Sequence, residues 1–305
     1  MAAGYIFLVV LLLGVLYLLL IRPENRNTEM AVYRRTMFAH RGYHNKEKLI
    51  PENSMAAFRA AVAHGYGIEL DIHITRDGKV VVFHDDTLER MCGEHGKVED
   101  YTLEELQKFH LLNTTERIPE LQEVLEYVDG RAPLLVELKI PGRDLRVCEA
   151  SYDILKTYHG KYLVQSFNTL GLQWYRKYAP AILRGQLSSN LTADPLNDPY
   201  ILRFLVKYLM LNVIGRPDFI SYKLKDLPNC SVLLCRWLWR IPVAVWTLRT
   251  EQALRQGKAK YDMYIFEKSG ENYGSIIFFV GLTLPRYSFS KPSASLDRNL
   301  RQCLW

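Results

Sequence analysis

The longest apolar stretch of the chain comes first. Residues 2–21 contain neither a charged side chain nor a proline. A helix of about 20 residues rises about 30 Å, which is the thickness of the hydrocarbon core of a bilayer. The pattern therefore predicts a single transmembrane helix over residues 1–22.

This segment has two interpretations, a retained anchor and a cleaved signal peptide. A signal peptide usually starts with basic residues and ends at a cleavage motif of small residues. Here no Lys or Arg precedes the apolar run, and the run ends in the aliphatic sequence LLLI. We therefore expect a retained membrane anchor. The basic residues that flank it, such as Arg22 and Arg26, follow the run, so the rest of the chain is expected on the cytoplasmic face.

After the anchor the pattern changes twice. Residues 23–35 are polar and are predicted to form a linker. From residue 36 short apolar runs alternate with amphipathic stretches, which predict strands and helices in turn. The predicted strands cover residues 37–39, 67–72, 80–83, 134–138, 163–165, 182–186, 219–222, 243–246 and 263–266. The predicted helices cover residues 54–64, 102–108, 120–128, 144–158, 171–178, 198–211 and 251–256.

Alternating strands and helices predict parallel β/α units. About eight such units in one domain predict an α/β fold, a TIM (β/α)8 barrel over residues 36–270. A doubly wound open sheet is the alternative, but no glycine-rich phosphate loop follows the first strand. Segment 198–211 is strongly apolar, and it is either a buried barrel helix or an interfacial segment that meets lipid. Residues 271–305 are predicted as a poorly specified C-terminal tail.

Composition narrows the classes of function. The chain has 39 Lys and Arg against 33 Asp and Glu, a net charge of +6, which suits an anionic membrane surface or a phosphate-bearing substrate. No dense basic run with interleaved aromatic residues occurs, so a nucleic-acid partner is not expected. The five cysteines are odd in number and fit no zinc spacing, so we expect free thiols.

Two histidines directly follow predicted apolar strands, His40 after residues 37–39 and His84 after residues 80–83. In a TIM barrel the carboxyl ends of the strands carry the active site. Histidine titrates near neutrality and serves as a general acid or base. Arg41, beside His40, offers a planar cation that suits a phosphate.

Three acidic residues stand within predicted apolar strands. Glu69 and Asp71 are two residues apart, so their side chains point to the same face of a strand. Buried carboxylates repel each other unless one is protonated or a cation lies between them. Glu137 shares a face with Lys139 in another apolar strand, where an isolated buried glutamate would be costly. Oxygen ligands suit Mg2+ or Ca2+ better than zinc.

A short polar motif precedes the predicted helix at residues 54–64. Glu52 and Asn53 belong to this motif, which reads PENS. The motif is either a helix cap or a pair of side chains that orient a ligand or a catalytic histidine. The sequence leaves both interpretations open.

These motifs resemble, in order and spacing, the glycerophosphodiester phosphodiesterase family over about residues 36–270. The matching segments are His40-Arg41-Gly42, Pro51-Glu52-Asn53-Ser54, Ala57-Phe58, Gly65, Glu69-Leu70-Asp71, Thr75-Arg76-Asp77-Gly78, His84-Asp85, Glu137-Leu138-Lys139, Gln165-Ser166-Phe167 and Val245-Trp246-Thr247-Leu248. The chain departs from the family in two places. Only Glu267 matches the acidic residue that the family often carries near the end of the last strand, and residues beyond 270 have no clear counterpart.

The resemblance implies hydrolysis of a glycerophosphodiester to an alcohol and glycerol 3-phosphate. It implies one divalent cation, Mg2+ or Ca2+, held by Glu69, Asp71 and Glu137. It implies general acid–base catalysis by His40 and His84. The substrate-binding residues that it implies are Arg41, Lys139, Glu52, Asn53 and Trp246.

The sequence has two alternative functional interpretations. A lysophospholipase D that acts on lysophospholipids is favoured by the anchor and by the apolar segment 198–211. A catalytically silent membrane scaffold on the same barrel is disfavoured, because every expected catalytic position is filled. The sequence does not predict the head group of the substrate or the oligomeric state.

Overall fold

The computed structural model of the protein describes residues 2–193 and 198–267. Its strands are β1 (Met37–Ala39), β2 (Gly67–Ile74), β3 (Val80–Val82), β4 (Leu134–Leu138), β5 (Tyr162–Ser166), β6 (Arg184–Ser188), β7 (Phe219–Lys223), β8 (Val243–Leu248) and β9 (Met263–Phe266). They form one sheet in the order β1-β9-β8-β7-β6-β5-β4-β2-β3, and β1 also pairs with β2. The eight strands other than β3 are parallel. Because β1 pairs with both β9 and β2, these strands close into a TIM barrel, which confirms the predicted fold.

Helices follow most of the strands on the outside of the barrel. The α-helices are α1 (Ala2–Ile21), α2 (Asn27–Met30), α3 (Met55–Ala63), α4 (Glu89–Cys92), α5 (Leu103–Leu106), α6 (Leu121–Val128), α7 (Arg146–Leu155), α8 (Thr169–Tyr178), α9 (Tyr200–Lys207), α10 (Asn212–Gly215), α11 (Cys230–Trp239) and α12 (Glu251–Lys260). Short 3-10 helices cover Ala31–Tyr33, Val98–Asp100 and Leu224–Asp226. We call the end of the barrel at the carboxyl ends of the parallel strands the C-terminal face, and the other end the N-terminal face.

The strand predicted at residues 80–83 forms as β3, but it is not a barrel strand. Strand β2 pairs with β1 only through its first residues, and it continues past β1. A tight turn closed by a hydrogen bond from Thr75 N to Lys79 O (2.9 Å) then reverses the chain. Strand β3 therefore runs antiparallel to the end of β2, with Val82 opposite Ile72.

Two of the longer helices differ most from the sequence prediction. The helix predicted at 198–211 is shorter, because Leu209 has a positive φ of 56° that ends α9 and lets α10 start separately. Helix α11 is not among the predicted helices. Its N-cap, Asn229, accepts hydrogen bonds from Ser231 N (2.9 Å) and Val232 N (3.3 Å). A capping asparagine after a proline is the signal that would have found this helix.

The segment predicted as a polar linker closes the N-terminal face of the barrel. Met30 and Tyr33 are buried in one apolar cluster with the inward-facing side chains of the strand starts, such as Phe38. Arg26 donates to both carboxylate oxygens of Asp218, which is fully buried beside the start of β7. These contacts explain why residues 27–33 are helical and packed. The domain boundaries themselves remain predictions, and the predicted tail at 271–305 lies outside the described residues.

Helix α1 is long and apolar enough to cross a membrane, and its last turn packs against the barrel. Tyr17 Oη lies 2.7 Å from Ser231 Oγ at the start of α11. Asn212 Nδ2 donates to Ile21 O at 3.0 Å, and Ile21 is fully buried. The apolar residues from Tyr5 to Leu16 are largely exposed, and the hydrogen bonds that join α1 to the described part of the barrel lie at its C-terminal end.

Candidate active site

The strand register brings three polar side chains into one row. Asp71 on β2 is opposite Glu137 on β4, and Glu137 is opposite Gln165 on β5. Glu69 precedes Asp71 by two residues, so its side chain points to the same face of β2. All four side chains are buried. The alternation along β2 and the pairing of three strands thus create an acidic cluster inside the barrel.

The three carboxylates of this cluster are close enough to share one ligand. Glu69, Asp71 and Glu137 each offer an oxygen, and these oxygens lie within 4.8 Å of one another. Lys139 Nζ lies 2.9 Å from Asp71 Oδ1 and 2.5 Å from Glu137 Oε1. One ammonium group therefore balances part of the negative charge.

Burial and neighbouring charges shift the pKa values of the three carboxylates. Burial raises the pKa of Glu69 well above its usual value, and the neighbouring carboxylates of Asp71 and Glu137 raise it further. Burial also raises the pKa of Glu137, against the effect of Lys139. The pKa of Asp71 is lowered despite burial, because Lys139 and other cations surround it. A divalent cation would relieve this repulsion, and hard oxygen donors suit Mg2+ or Ca2+, so the donor set fits one such ion.

One backbone N–H and one side-chain amide hold the carboxylates of Glu69 and Asp71 in place. The backbone N–H of Arg41 donates to Glu69 Oε2 at 2.9 Å, and Asn53 Nδ2 donates to Asp71 Oδ2 at 2.9 Å. Asn53 itself is only 2% exposed. It therefore lies behind the cluster and orients a carboxylate, which is one of the two roles that the sequence left open.

His40 lies at the junction of the first and last strands. Its backbone N–H donates to Phe266 O at 2.8 Å, and its Nδ1 lies 3.4 Å from Glu267 Oε2. Burial lowers the pKa of His40 to about 4, although Glu267 opposes the change. The ring is therefore neutral near pH 7. With Nδ1 directed at a carboxylate, Nε2 is the ring atom left for a substrate.

His84 reaches the site by a different route from the predicted one. It does not stand at the end of a barrel strand, because β3 runs back along β2. Phe83 N donates to Asp71 O at 3.0 Å, which places the next residue beside the acidic cluster. The Nδ1 atom of His84 lies 2.6 Å from Asp85 Oδ1. Both histidines thus present Nδ1 to a carboxylate.

A chain of ion pairs links the two halves of the site. Arg41 Nη1 lies 2.6 Å from Glu52 Oε1, and Arg90 Nη2 lies 2.7 Å from the same oxygen. Arg90 Nε in turn lies 2.5 Å from Asp85 Oδ2. Although burial opposes them, Arg90 and Arg41 lower the pKa of Glu52 to about 2. Glu52 is therefore charged, and it connects Arg41 with the carboxylate that orients His84.

A cleft of about 710 Å³ opens at the C-terminal face. Trp246 forms part of its wall and packs edge-on against Phe167, with ring centroids 5.8 Å apart. Lys223 Nζ lies 5.9 Å from the centroid of the Trp246 ring. The polar residues that line the cleft include His40, Arg41, Glu69, His84, Glu137, Lys139, Gln165 and Lys223. The cavity thus combines an acidic floor with cationic side chains.

The residues singled out from the sequence come together in two layers. Seven of the ten line the cleft: His40, Arg41, Glu69, His84, Glu137, Lys139 and Trp246. The other three contact those residues, Asp71 through Lys139, Asn53 through Asp71 and Glu52 through Arg41. Their catalytic, metal-binding and substrate-binding roles remain predictions.

Sequence reasoning did not assign four other residues of the site. Gln165 was part of a matching motif, and its position opposite Glu137 depends on strand register. The sequence indicates Glu267 only as the match to the acidic residue that the family often carries near the end of the last strand, with no role in the site. Arg90 and Lys223 belong to no motif, and only the ion pairs of Arg90 and the position of Lys223 at the end of β7 reveal them.

The fold and the site together define a TIM-barrel protein whose acidic cleft suits a metal ion and a phosphate ester. The model of the glycerophosphoryl diester phosphodiesterase family matches residues 40–271. The chain belongs to this family, which confirms the resemblance seen in the sequence.

Curated relatives and solved structures agree with this assignment. A glycerophosphodiester phosphodiesterase of Caldanaerobacter subterraneus subsp. tengcongensis is 36% identical over 50% of this chain and 65% of the relative. One of Bacillus altitudinis is 33% identical over 59% of this chain and 76% of the relative. The structure of an Oleispira antarctica phosphodiesterase in complex with the product sn-glycerol-3-phosphate is 24% identical and covers 77% of this chain and 94% of that chain, with a TM-score of 0.63. The Oleispira antarctica structure shares the fold of this chain. This chain spans just under two thirds of the length of the Caldanaerobacter relative.

Proposed function

We propose that this protein hydrolyses glycerophosphodiesters to an alcohol and glycerol 3-phosphate. The observation that carries the proposal is one cleft lined by two buried carboxylates, two histidines and several cations, with the third buried carboxylate, Asp71, close to the other two. Charges of both signs in a partly enclosed site suit phosphate-ester chemistry, because the charge that develops in the transition state finds preorganised partners. The names of the curated relatives support the same substrate class.

Glu69, Asp71 and Glu137 would hold one divalent cation, Mg2+ or Ca2+. When bound, the ion would supply Lewis-acid stabilisation of charge on the phosphate. Arg41 and Lys139 would neutralise the phosphate oxygens from the sides of the cleft. Asn53 and Glu52 would act behind this layer, since their contacts fix Asp71 and Arg41.

His40 and His84 would move the protons. One ring removes a proton from the nucleophile, which is water or the glycerol hydroxyl of the substrate, and the other protonates the leaving alcohol. Glu267 and Asp85, which face the two Nδ1 atoms, would keep each Nε2 turned toward the substrate. Trp246 would form the wall against which the glycerol part lies.

The test uses the full chain purified in detergent. Glycerophosphocholine, glycerophosphoethanolamine and glycerophosphoglycerol are supplied with Mg2+ or Ca2+, and glycerol 3-phosphate is quantified together with the released alcohol. We expect equal amounts of the two products from at least one substrate. If no substrate is cleaved with any divalent ion, the proposed function is wrong.

A second candidate is a lysophospholipase D activity on lysophospholipids. The specific observation in its favour is that Tyr200, Ile201 and Leu202 expose apolar surface on α9, at the same end of the barrel as the cleft. Comparing kcat/KM for lysophosphatidylcholine with that for glycerophosphocholine separates the two activities. A silent scaffold has no support among the described residues, because each predicted catalytic position holds the expected side chain.

We further propose that α1 is a retained membrane anchor and that the barrel is cytoplasmic. The packing of Tyr17 and Ile21 against the barrel supports retention, because cleavage after this segment would remove those contacts. Alkaline extraction of membranes and protease protection of right-side-out vesicles test the two parts separately. The boundaries 1–22, 23–35, 36–270 and 271–305 are part of the same proposal.

A further inference from the structure

We propose that the C-terminal face of the barrel lies directly against the lipid bilayer, so that the cleft opens toward the membrane. Helix α1 and the first turns of α9 and α11 would form one membrane-binding face. The proposal rests on the proposed function only for the role of the cleft. Its geometry follows from the direction in which α1 leaves the barrel.

The direction of α1 is set by two contacts along α11. Helix α11 starts near the C-terminal face, because Asn229 Nδ2 donates to the hydroxyl of Tyr222 on β7 (3.0 Å). It ends at the N-terminal face, where residue 239 is followed by the start of β8. Tyr17 lies beside Ser231 in the first turn of α11, and Cys235 Sγ donates to Ile21 O at 3.3 Å half-way along it. Helix α1 therefore runs parallel to α11, and its free N-terminal part extends beyond the C-terminal face.

The length of α1 leaves no room for a spacer between barrel and bilayer. Residues 2–16 precede the first hydrogen bond to α11, which Tyr17 makes with Ser231, and 15 helical residues rise about 22 Å. The hydrocarbon core of a bilayer is about 30 Å thick. The rim of the barrel next to α11 must therefore reach the membrane interface for α1 to span, with the remaining difference taken up by tilt or local thinning.

Helix α9 exposes a second apolar surface at the same end. Ser188, the last residue of β6, donates to Val206 O at 2.9 Å, which places α9 at the C-terminal face. In its first turn Tyr200 is 62% exposed and Ile201 63% exposed. Three consecutive exposed apolar residues, with Leu202, are typical of a segment that inserts into an interface.

Helix α11 supplies the third part of this face. Leu233 and Trp237 lie one turn apart, so they share a side of the helix. They are 53% and 77% exposed. Leu233 is two residues from Ser231, the partner of Tyr17, so it stands close to the level at which α1 leaves the barrel. Trp237 lies two residues before the end of α11, toward the N-terminal face, and lies outside the membrane-binding face.

The cleft opens beside this face. Two residues that line it are Lys223, the last residue of β7, and Leu227, in the short connection between β7 and α11. The first turn of α11 contacts α1. A phosphodiester carried by a single-chain lipid would therefore meet the cleft while its acyl chain stayed in the bilayer. The partner proposed for this membrane-binding face is a lipid bilayer.

The experiment measures which end of the barrel touches lipid. The full chain, with Cys92, Cys230 and Cys303 replaced by Ser, is reconstituted in phosphatidylcholine vesicles. It carries one thiol-attached fluorophore, introduced by Ile201→Cys. The matched control is Tyr178→Cys, because Tyr178 is similarly exposed (54%) but ends α8 at the N-terminal face. We expect lipid-attached spin labels to quench the fluorophore at 201 at least about twofold more than that at 178, and aqueous iodide to show the reverse order.

Equal quenching at the two sites, or stronger quenching at 178 by the lipid-attached label, overturns the proposal. Each labelled chain must unfold at the same temperature as the unlabelled parent, so that misfolding is recognised. Hydrolysis of soluble glycerophosphocholine by the same samples reports on the proposed function alone. If the unlabelled parent does not hydrolyse glycerophosphocholine, the proposed function is contradicted. The quenching pattern still decides the orientation of the barrel at the membrane.

Discussion

The two ends of the barrel are built from the same strands and treat buried charge in opposite ways. At the N-terminal face Arg26 donates five hydrogen bonds, two of them to Asp218 and three to backbone carbonyls of residues 180–182. At the C-terminal face three carboxylates lie close together, and the ammonium group of Lys139 pairs with two of them, Asp71 and Glu137. A balanced ion pair holds a structure together, whereas the repulsion among incompletely balanced carboxylates is relieved when a cation binds between them.

This contrast first predicts a metal requirement at one end only. Treatment of the full chain with EDTA should abolish hydrolysis of glycerophosphocholine, because the repulsion among Glu69, Asp71 and Glu137 is then uncompensated. Addition of Mg2+ or Ca2+ in excess should restore it, and EDTA saturated with the same ion is the control. Full activity in metal-free buffer would rule out the metal role.

The histidines at the C-terminal face should dominate turnover. His40→Ala and His84→Ala are each expected to lower kcat by at least ~10²-fold, the usual scale for an acid–base group. His159→Ala, an exposed histidine outside the cleft, is the matched control and should leave kcat unchanged. Unchanged turnover in both active-site variants would sink the acid–base scheme.

The ion pair at the N-terminal face should affect stability and not chemistry. Asp218→Ala leaves Arg26 without its carboxylate, and loss of one partner of a buried pair costs about 3 kcal/mol of unfolding free energy. Chemical unfolding of the full chain in detergent measures the change, with Glu29→Ala, an exposed acid of the same segment, as control. A normal stability or a large loss of kcat in folded Asp218→Ala would both contradict this division of roles.

Glu267 should have a smaller effect that is specific to the C-terminal face. Glu267→Gln is expected to lower kcat by roughly tenfold, because the carboxylate that orients His40 loses its charge. Since Glu267 raises the pKa of His40 against burial, the variant should lower that pKa. The acid limb of kcat/KM that reports on His40 should then move to lower pH.

Glu251→Gln, at a partly exposed position on α12 where the carboxylate pairs with Arg255, is the control for this change. A pH profile that stays the same in Glu267→Gln would assign that residue a purely structural part.

Much of the molecule was determined by local sequence. The apolar run of residues 2–21 predicts α1, and the short apolar runs predict every strand of the barrel within a few residues. The two-residue alternation in β2 and β4 predicts that Glu69 and Asp71, like Glu137 and Lys139, share a face. These features depend on periodicity and on immediate neighbours, so they can be read along one strand or one helix.

Other features were decided only by the tertiary structure. The antiparallel return of β3, the contact of His40 with Glu267, and the pairing of Arg26 with Asp218 across 192 positions depend on strand register and barrel closure. The same holds for residues 27–33, whose polar sequence predicts a linker but whose Met30 and Tyr33 fill the barrel end. Such contacts join residues far apart in the chain, and no local pattern encodes them. The sequence thus determined which groups the site contains, and the closed barrel determined which of them meet.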